Sequence, residues 1–107
     1  MPHAELKYST DLDIDAGEIL TQVEAMILRH DAGSGDCKGR AYPAAASHHR
    51  HVILEVSLLA KPHRDAGFVA ALKSDLAAML AGHLPRPCWV SVNLSFSGPC
   101  YHTELLT

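Results

Sequence analysis

The stretch VILEVSLLAKPHRDAGFVAALKSDLAAML, residues 52–80, indicates the fold class more clearly than any other part of the chain. Its first residues alternate, so that Val52, Leu54, Val56 and Leu58 form one apolar face of a strand. Lys61-Pro62 ends this strand, because proline cannot donate to a strand ladder. The apolar residues that follow have helical spacing: Val69, Leu72, Leu76, Met79 and Leu80. A strand that leads into an amphipathic helix predicts part of a β-α-β unit.

The same order of patterns opens the chain. Residues 2–9 alternate, with Ala4, Leu6 and Tyr8 on one side, and predict a half-buried strand. A second set of apolar residues then recurs at helical spacing: Ile19, Leu20, Val23, Met26 and Ile27. Asp13 or Asp15 can cap the start of this helix, and Gly33 is suited to a left-handed cap at its end.

Two further strands complete the predicted order of elements. A short strand is expected near residues 39–46, and Val90, Val92, Leu94 and Phe96 alternate with polar residues in a last strand. The sequence therefore predicts a single α+β domain, residues 1–107, built from two β-α-β units whose two helices cover one face of a sheet. Ile53 and Leu59 would lie on the other face, which predicts association with further copies.

Composition excludes several classes of protein. Nine Lys+Arg residues against twelve Asp+Glu give a formal charge of -3, which argues against nucleic acid or an anionic membrane as partner. No apolar run approaches the roughly 20 residues that span a bilayer, and the first residues do not resemble a signal peptide. Three cysteines without CxxC spacing predict reduced thiols and a cytoplasmic location.

The start Met1-Pro2-His3 contains the first candidate for chemistry. Methionine before a small residue is usually removed, which would leave Pro2 with a secondary amine. A free α-amino group titrates near pH ~7.7–8.0, and burial beside cations lowers this pKa. A neutral amine of this kind is a good general base. The alternative is a proline that only begins an edge strand.

Several scattered segments resemble one family. They are the MPH start of a strand, an acidic helix start, a Gly-Arg segment at residues 39–40, the unit LLAKPHRDAG and a closing LSFS strand. Together they resemble the tautomerase superfamily, and most closely the 5-carboxymethyl-2-hydroxymuconate isomerases. The likeness extends from Pro2 to about Phe96.

This resemblance implies a function and a set of site residues. It implies a homotrimeric isomerase with Pro2 as catalytic acid and base, and with Arg40 and Arg64 at the family's arginine positions. Lys38 is a third candidate for binding substrate. The implied reaction is cofactor-free keto-enol tautomerisation of a small, multiply carboxylated dienol, as in aromatic acid catabolism. Arginine suits this substrate, because its guanidinium can bind a carboxylate through two hydrogen bonds.

Three alternatives remain open. The chain could be a non-catalytic trimeric relative that binds a ligand, or a member of the same superfamily that decarboxylates or hydrates a related acid. It could also bind zinc through donors drawn from one set: Cys37, His48, His49, His51 and His63. The sequence has neither a helical HxxxH pair nor a CxxC pair among these donors, so no metal is predicted.

Overall fold

A computed structural model describes all residues from 1 to 107. Four strands and two helices follow one another in the predicted order. Their bounds are β1 His3–Ser9, α1 Ala16–His30, β2 Lys38–Ala44, β3 His51–Leu59, α2 Ala66–Ala81 and β4 Trp89–Ser97. The strand that the sequence places near residues 39–46 has 7 residues, and it begins one residue and ends two residues earlier than predicted.

The four strands form one sheet in the order β2-β1-β3-β4. β1 is parallel to β2 and β3 is parallel to β4, as helical crossovers require, while the central pair β1 and β3 is antiparallel. The sheet thus consists of two β-α-β units joined through their first strands. This confirms the predicted fold class.

The tripeptide Asp-Ala-Gly has the same role in both units. The carboxylate of Asp15 accepts a hydrogen bond from the backbone N–H of Glu18 at 3.1 Å, and that of Asp65 accepts one from Phe68 at 2.9 Å. Each aspartate thereby satisfies one of the free N–H groups at a helix start. Of the two predicted caps for α1, the structure uses Asp15.

α1 ends just before Gly33, as predicted, but Gly33 does not form the left-handed cap. Asp31, with φ −152°, ends the helix in an extended conformation, and the positive φ of 78° falls at Gly35 rather than at Gly33. The Asp31 carboxylate accepts two hydrogen bonds from Arg64 and one from the backbone N–H of Gly33. Gly35 then supplies the left-handed turn that leads into β2.

Both helices pack on one face of the sheet, where thirteen apolar residues are buried together. These residues are Ala4, Leu6, Leu12, Ile19, Val23, Ile27, Val52, Leu54, Val56, Leu58, Leu72, Leu76 and Leu80. They include all four strand residues from the stretch that predicted the fold. Neither helix has the length and apolar composition that a membrane-spanning helix requires.

The opposite face of the sheet is open and largely polar. Glu5 pairs with Arg40 and also lies 3.6 Å from Lys7, whose Nζ is 3.2 Å from Glu55. Ile53 is half-buried in this charged surface. Association of several copies through this face stays a prediction.

Candidate functional site

Pro2 lies immediately before β1, and its side chain is fully buried. Its carbonyl oxygen accepts a hydrogen bond from the backbone N–H of Lys38 at 3.0 Å. Proline fits at this point because the position before a strand needs no backbone N–H. The strand register therefore brings the start of β1, the start of β2 and the end of β3 together at one end of the sheet.

A cavity of about 440 Å³ opens beside this end of the sheet. Its walls come from the chain start, the turn before β2 and the carboxyl-terminal tail: Met1, Asp36, Lys38, Thr103, Glu104 and Leu105. The Lys38 ammonium donates to the Thr103 hydroxyl at 3.2 Å. Lys38 is thus the one predicted substrate-binding cation in the lining of this cavity.

Gly35 explains how the chain start fits against this wall. A Cβ added to Gly35 would lie 2.8 Å from the sulfur of Met1, and the residue already has a positive φ. The positive φ of this turn favours glycine, whereas the Met1 side chain is flexible and could move away from an added Cβ.

The amino group at the chain start lies in a field of positive charge. Burial lowers the pKa of the Met1 amino group below its usual 8.0, and the charges of Lys38, Lys61 and Arg64 lower it further. Lys61, in the loop after β3, was not among the residues that the sequence singled out. Its type and position gave no signal beyond those of an ordinary surface lysine.

Arg64 is buried, and three of its five N–H donors form hydrogen bonds within the chain. Its Nε and Nη2 donate to one oxygen of Asp31 at 3.0 and 2.8 Å, and its Nη1 donates to the Leu59 carbonyl at 2.8 Å. Hydrogen bonds from His63 and Arg64 lower the pKa of Asp31 to about 2. In this arrangement Arg64 acts on the cavity through its charge, and its donors join α1 to the loop before α2.

Arg40 lies on the open face of the sheet, in a second depression of about 290 Å³ that His3 and Glu5 also line. Its Nε donates to Glu5 at 3.1 Å, and this contact is the main cause that lowers the pKa of Glu5. Its Nη2 lies 3.4 Å from Nδ1 of His3. Burial, and then the charges of Lys38 and Arg40, lower the pKa of His3 below 6.5.

The carboxyl-terminal tail, in which the sequence shows no pattern, lines the cavity at the chain start and also contacts His3 beside the depression around Arg40. The Tyr101 hydroxyl lies 2.9 Å from Nε2 of His3 and donates to the Met1 carbonyl oxygen at 3.4 Å. The rings of Tyr101 and His3 meet edge to face, with centroids 5.8 Å apart. His3 therefore stands between Arg40 and Tyr101, which sequence spacing could not reveal because Tyr101 is 98 residues away.

The donors considered for zinc are spread across the molecule. His48 and His49 stack on each other, and His51 faces the His49 carbonyl. His63 is paired with Asp31, and burial raises the pKa of the Cys37 thiol to about 11. No group of three or more histidine, cysteine or acidic side chains is placed to hold a metal ion. All three cysteines are free thiols.

The order and pairing of the elements define the tautomerase fold. The chain shares this fold with 5-carboxymethyl-2-hydroxymuconate isomerases and with a macrophage migration inhibitory factor-like protein. The resemblance that the sequence indicated is therefore confirmed at the level of the fold.

Three solved structures show the extent of this similarity. The isomerase from Deinococcus radiodurans R1 matches with a TM-score of 0.83 and 19% identity, over 99% of this chain and 90% of that one. The macrophage migration inhibitory factor-like protein from Entamoeba histolytica matches with a TM-score of 0.69 and 12% identity, over 96% and 95%. A 5-carboxymethyl-2-hydroxymuconate delta-isomerase matches with a TM-score of 0.68 and 18% identity, over 98% and 88%. No protein-family model and no curated protein sequence matches the chain.

Proposed function

We propose that this protein is an isomerase that catalyses keto-enol tautomerisation of a small, multiply carboxylated dienol. The general acid and base is the amine of Pro2, exposed after removal of Met1. The observation that carries this proposal is the position of Pro2, buried at the start of β1 next to a cavity that a lysine lines. The isomerase names of two proteins with the same fold support it.

The surroundings of the chain start favour a neutral amine. Removal of Met1 would move the free amine by one residue. We expect Lys38, Lys61 and Arg64, which lower the pKa of the Met1 amino group, to act on the Pro2 amine in the same direction. A secondary amine that is neutral near pH 7 can take a proton from the dienol hydroxyl or an adjacent carbon and return it to a more distant carbon. The amine ends unchanged, so the reaction needs no cofactor.

Lys38, Arg40 and Arg64 would each interact with an acidic substrate in a different way. Lys38 supplies a point charge for one carboxylate inside the cavity, at the cost of its contact with the Thr103 hydroxyl. Arg40, which is 41% exposed at its side chain, can contribute from the sheet face. Arg64 contributes mainly its charge, because Asp31 and Leu59 already occupy three of its five N–H donors and the side chain is buried.

We propose a homotrimer that acts in the cytoplasm in the catabolism of aromatic acids. The uncovered sheet face and the edge strands β2 and β4 support association, since both offer surface for a second copy. Light scattering on the purified protein, under conditions that keep the thiols reduced, tests the trimer. A monomer at micromolar concentration would contradict it.

The test of the activity follows the ultraviolet absorbance of 2-hydroxymuconate-type dienols. It uses untagged protein whose start at Pro2 is established by intact mass. Ketonisation well above the buffer rate is expected, with a loss of about 100-fold in Pro2→Ala, because general-base catalysis contributes 10²–10⁴-fold. Pro85→Ala, in the exposed loop between α2 and β4, is the matched control and should retain the activity.

Two results would contradict the proposal. No acceleration from a verified proline start would favour a relative that only binds ligand, or one that decarboxylates or hydrates a related acid. Equal rates in wild type and Pro2→Ala would remove the proline from the mechanism.

A further inference from the structure

We propose that Tyr101 is a catalytic hydrogen-bond donor to the substrate oxygen next to Pro2, and that His3 and Arg40 position its hydroxyl. This inference rests on the proposed function and adds a residue from the carboxyl-terminal tail to the site. It begins with one contact: the Tyr101 hydroxyl donates to the carbonyl oxygen of Met1 at 3.4 Å. That carbonyl belongs to the peptide bond that ends at the Pro2 nitrogen.

The Met1 carbonyl marks a position that substrate would take. Once Met1 is removed, its carbonyl oxygen leaves a space directly beside the free amine of Pro2. A substrate that gives a proton to this amine must place its reacting atoms in that space. The Tyr101 hydroxyl, already directed at an oxygen there, then faces the hydroxyl or carbonyl oxygen of the dienol.

Chemistry fixes the direction of each hydrogen bond in the series that runs from Arg40 through His3 to Tyr101. Arginine can only donate, so the contact of 3.4 Å between Arg40 Nη2 and His3 Nδ1 requires an unprotonated Nδ1. The proton of the neutral ring is then on Nε2, which donates to the Tyr101 oxygen at 2.9 Å. Since the phenol oxygen accepts from His3, its own proton is directed at the Met1 carbonyl.

Glu5 holds Arg40, which is the first residue of this series of hydrogen bonds. Its carboxylate accepts from Arg40 Nε at 3.1 Å and keeps the guanidinium beside His3. The low pKa of His3, caused by burial and by the charges of Lys38 and Arg40, agrees with a neutral ring near pH 7. In addition to any contact with substrate from the sheet face, Arg40 therefore acts on the Tyr101 hydroxyl through His3, as a positioning residue.

The proton balance needs no other group. The Pro2 nitrogen takes the proton as the O–H or C–H bond of the substrate breaks, and it gives the proton back as a new C–H bond forms. Negative charge grows on the substrate oxygen between these two steps. Tyr101 keeps its own proton and stabilises this charge through a hydrogen bond, as an oxyanion donor does.

Tyr101→Phe tests the donor, because it removes the hydroxyl and keeps the ring against His3. Turnover of the dienol and the affinity for oxalate, a planar anion with enolate-like oxygens, are measured in protein that starts at Pro2. The exchange should lower kcat about 100-fold and weaken oxalate binding about tenfold. Tyr8→Phe, at the opposite end of β1, is the matched control and should change neither quantity.

The oxalate measurement separates this inference from the proposed function. If wild type binds oxalate through Tyr101 but does not ketonise dienols, the isomerase proposal is wrong, and Tyr101 is a donor to a bound anion rather than a catalytic residue. If wild type ketonises dienols and Tyr101→Phe does so equally well, the donor is wrong and the isomerase proposal stands. Oxalate affinity that is absent in wild type, or unchanged in Tyr101→Phe, overturns the inference whatever the turnover.

The positioning role of His3 has its own readout. Long-range ¹H–¹⁵N NMR spectra, with His3→Gln to assign the signals, should show a neutral ring protonated on Nε2 at pH 7. A ring protonated on Nδ1 would overturn the chain of hydrogen bonds. His3→Leu should lower kcat with little change in KM, and His3→Gln should restore part of kcat because its amide can still donate to Tyr101.

Discussion

Arg64 places two hydrogen bonds on a single oxygen of Asp31, at 2.8 and 3.0 Å, across the gap between α1 and the start of α2. The guanidinium is only 2% exposed and the carboxylate 12%. This pair ties the two β-α-β units together on the helical side of the sheet. A substrate carboxylate would have to displace Asp31 to use the same donors. The main role of the pair is therefore to stabilise the fold, and its charge acts on the cavity only in addition.

Asp31→Asn is expected to destabilise the protein above pH 4 and to have little effect near pH 2. The pKa of Asp31 falls from 3.8 to about 2 in the folded protein, so its charge stabilises the fold above pH 3.8. This contribution, about 2 kcal/mol, is lost as the pH falls through the folded value. The amide resembles the protonated acid, so the difference between variant and wild type should vanish there. Denaturant unfolding at several pH values measures it.

Asp75→Asn is the matched control for this prediction. Asp75 also accepts a hydrogen bond from a histidine, His30, but its side chain is 50% exposed. Exposed pairs contribute about 0–1 kcal/mol. If both exchanges cost the same free energy at pH 7, burial of the Asp31–Arg64 pair would not be the source of its effect.

Lys38→Met should weaken the use of acidic substrates more than it slows the chemical step. The Lys38 ammonium lines the cavity beside Pro2. Its partner, the Thr103 hydroxyl, is uncharged, so the ammonium can donate to a substrate carboxylate instead. Its removal should raise KM about tenfold, while kcat changes less. Steady-state kinetics with a dicarboxylated dienol provides the measurement. Lys73→Met, on the exposed side of α2, should match wild type, and an unchanged KM in Lys38→Met would remove Lys38 from substrate binding.

The sequence also left a choice of helix cap that thermal unfolding can examine. Asp15→Ala should lower the free energy of unfolding by about 1 kcal/mol, because it frees the backbone N–H of Glu18. Asp13→Ala removes an equal charge from an exposed residue and should change stability much less. Equal losses would mean that charge near the helix start, rather than the cap, carries the effect.

The fold was predictable because local patterns determine it. Alternation from Val52 to Leu58 and helical spacing from Val69 to Leu80 each describe one face of one element, and short crossovers leave few ways to join them. The pairing of Asp31 with Arg64 was not predictable, because Arg64 lies 33 residues further along the chain. No local signal at Asp31 reports that partner.

The candidate site was predictable only in part, for the same physical reason. Pro2 stands out by residue type and position, whereas Lys38 was only a third candidate. A backbone hydrogen bond joins the two residues where β1 and β2 begin. Whether a given arginine is free depends on partners such as Glu5 and Asp31, which spacing does not show. The tail has no periodicity, so the contact of Tyr101 with His3 appears only in three dimensions.

The pH dependence of catalysis offers a last prediction, through Lys61. If the amine of Pro2 is the base, kcat/KM should fall as the pH decreases through the pKa of this amine, because the protonated amine cannot accept a proton. The positive charge of Lys61 lowers the pKa of the amino group at the chain start, so Lys61→Met should move this fall to higher pH, by less than about one unit. The rate at high pH should stay near that of wild type, because Lys61 does not line the cavity. Lys73→Met removes the same charge from α2 and should leave the profile in place. A fall that stays at the same pH in Lys61→Met, or moves to lower pH, would contradict a cationic field around the proline.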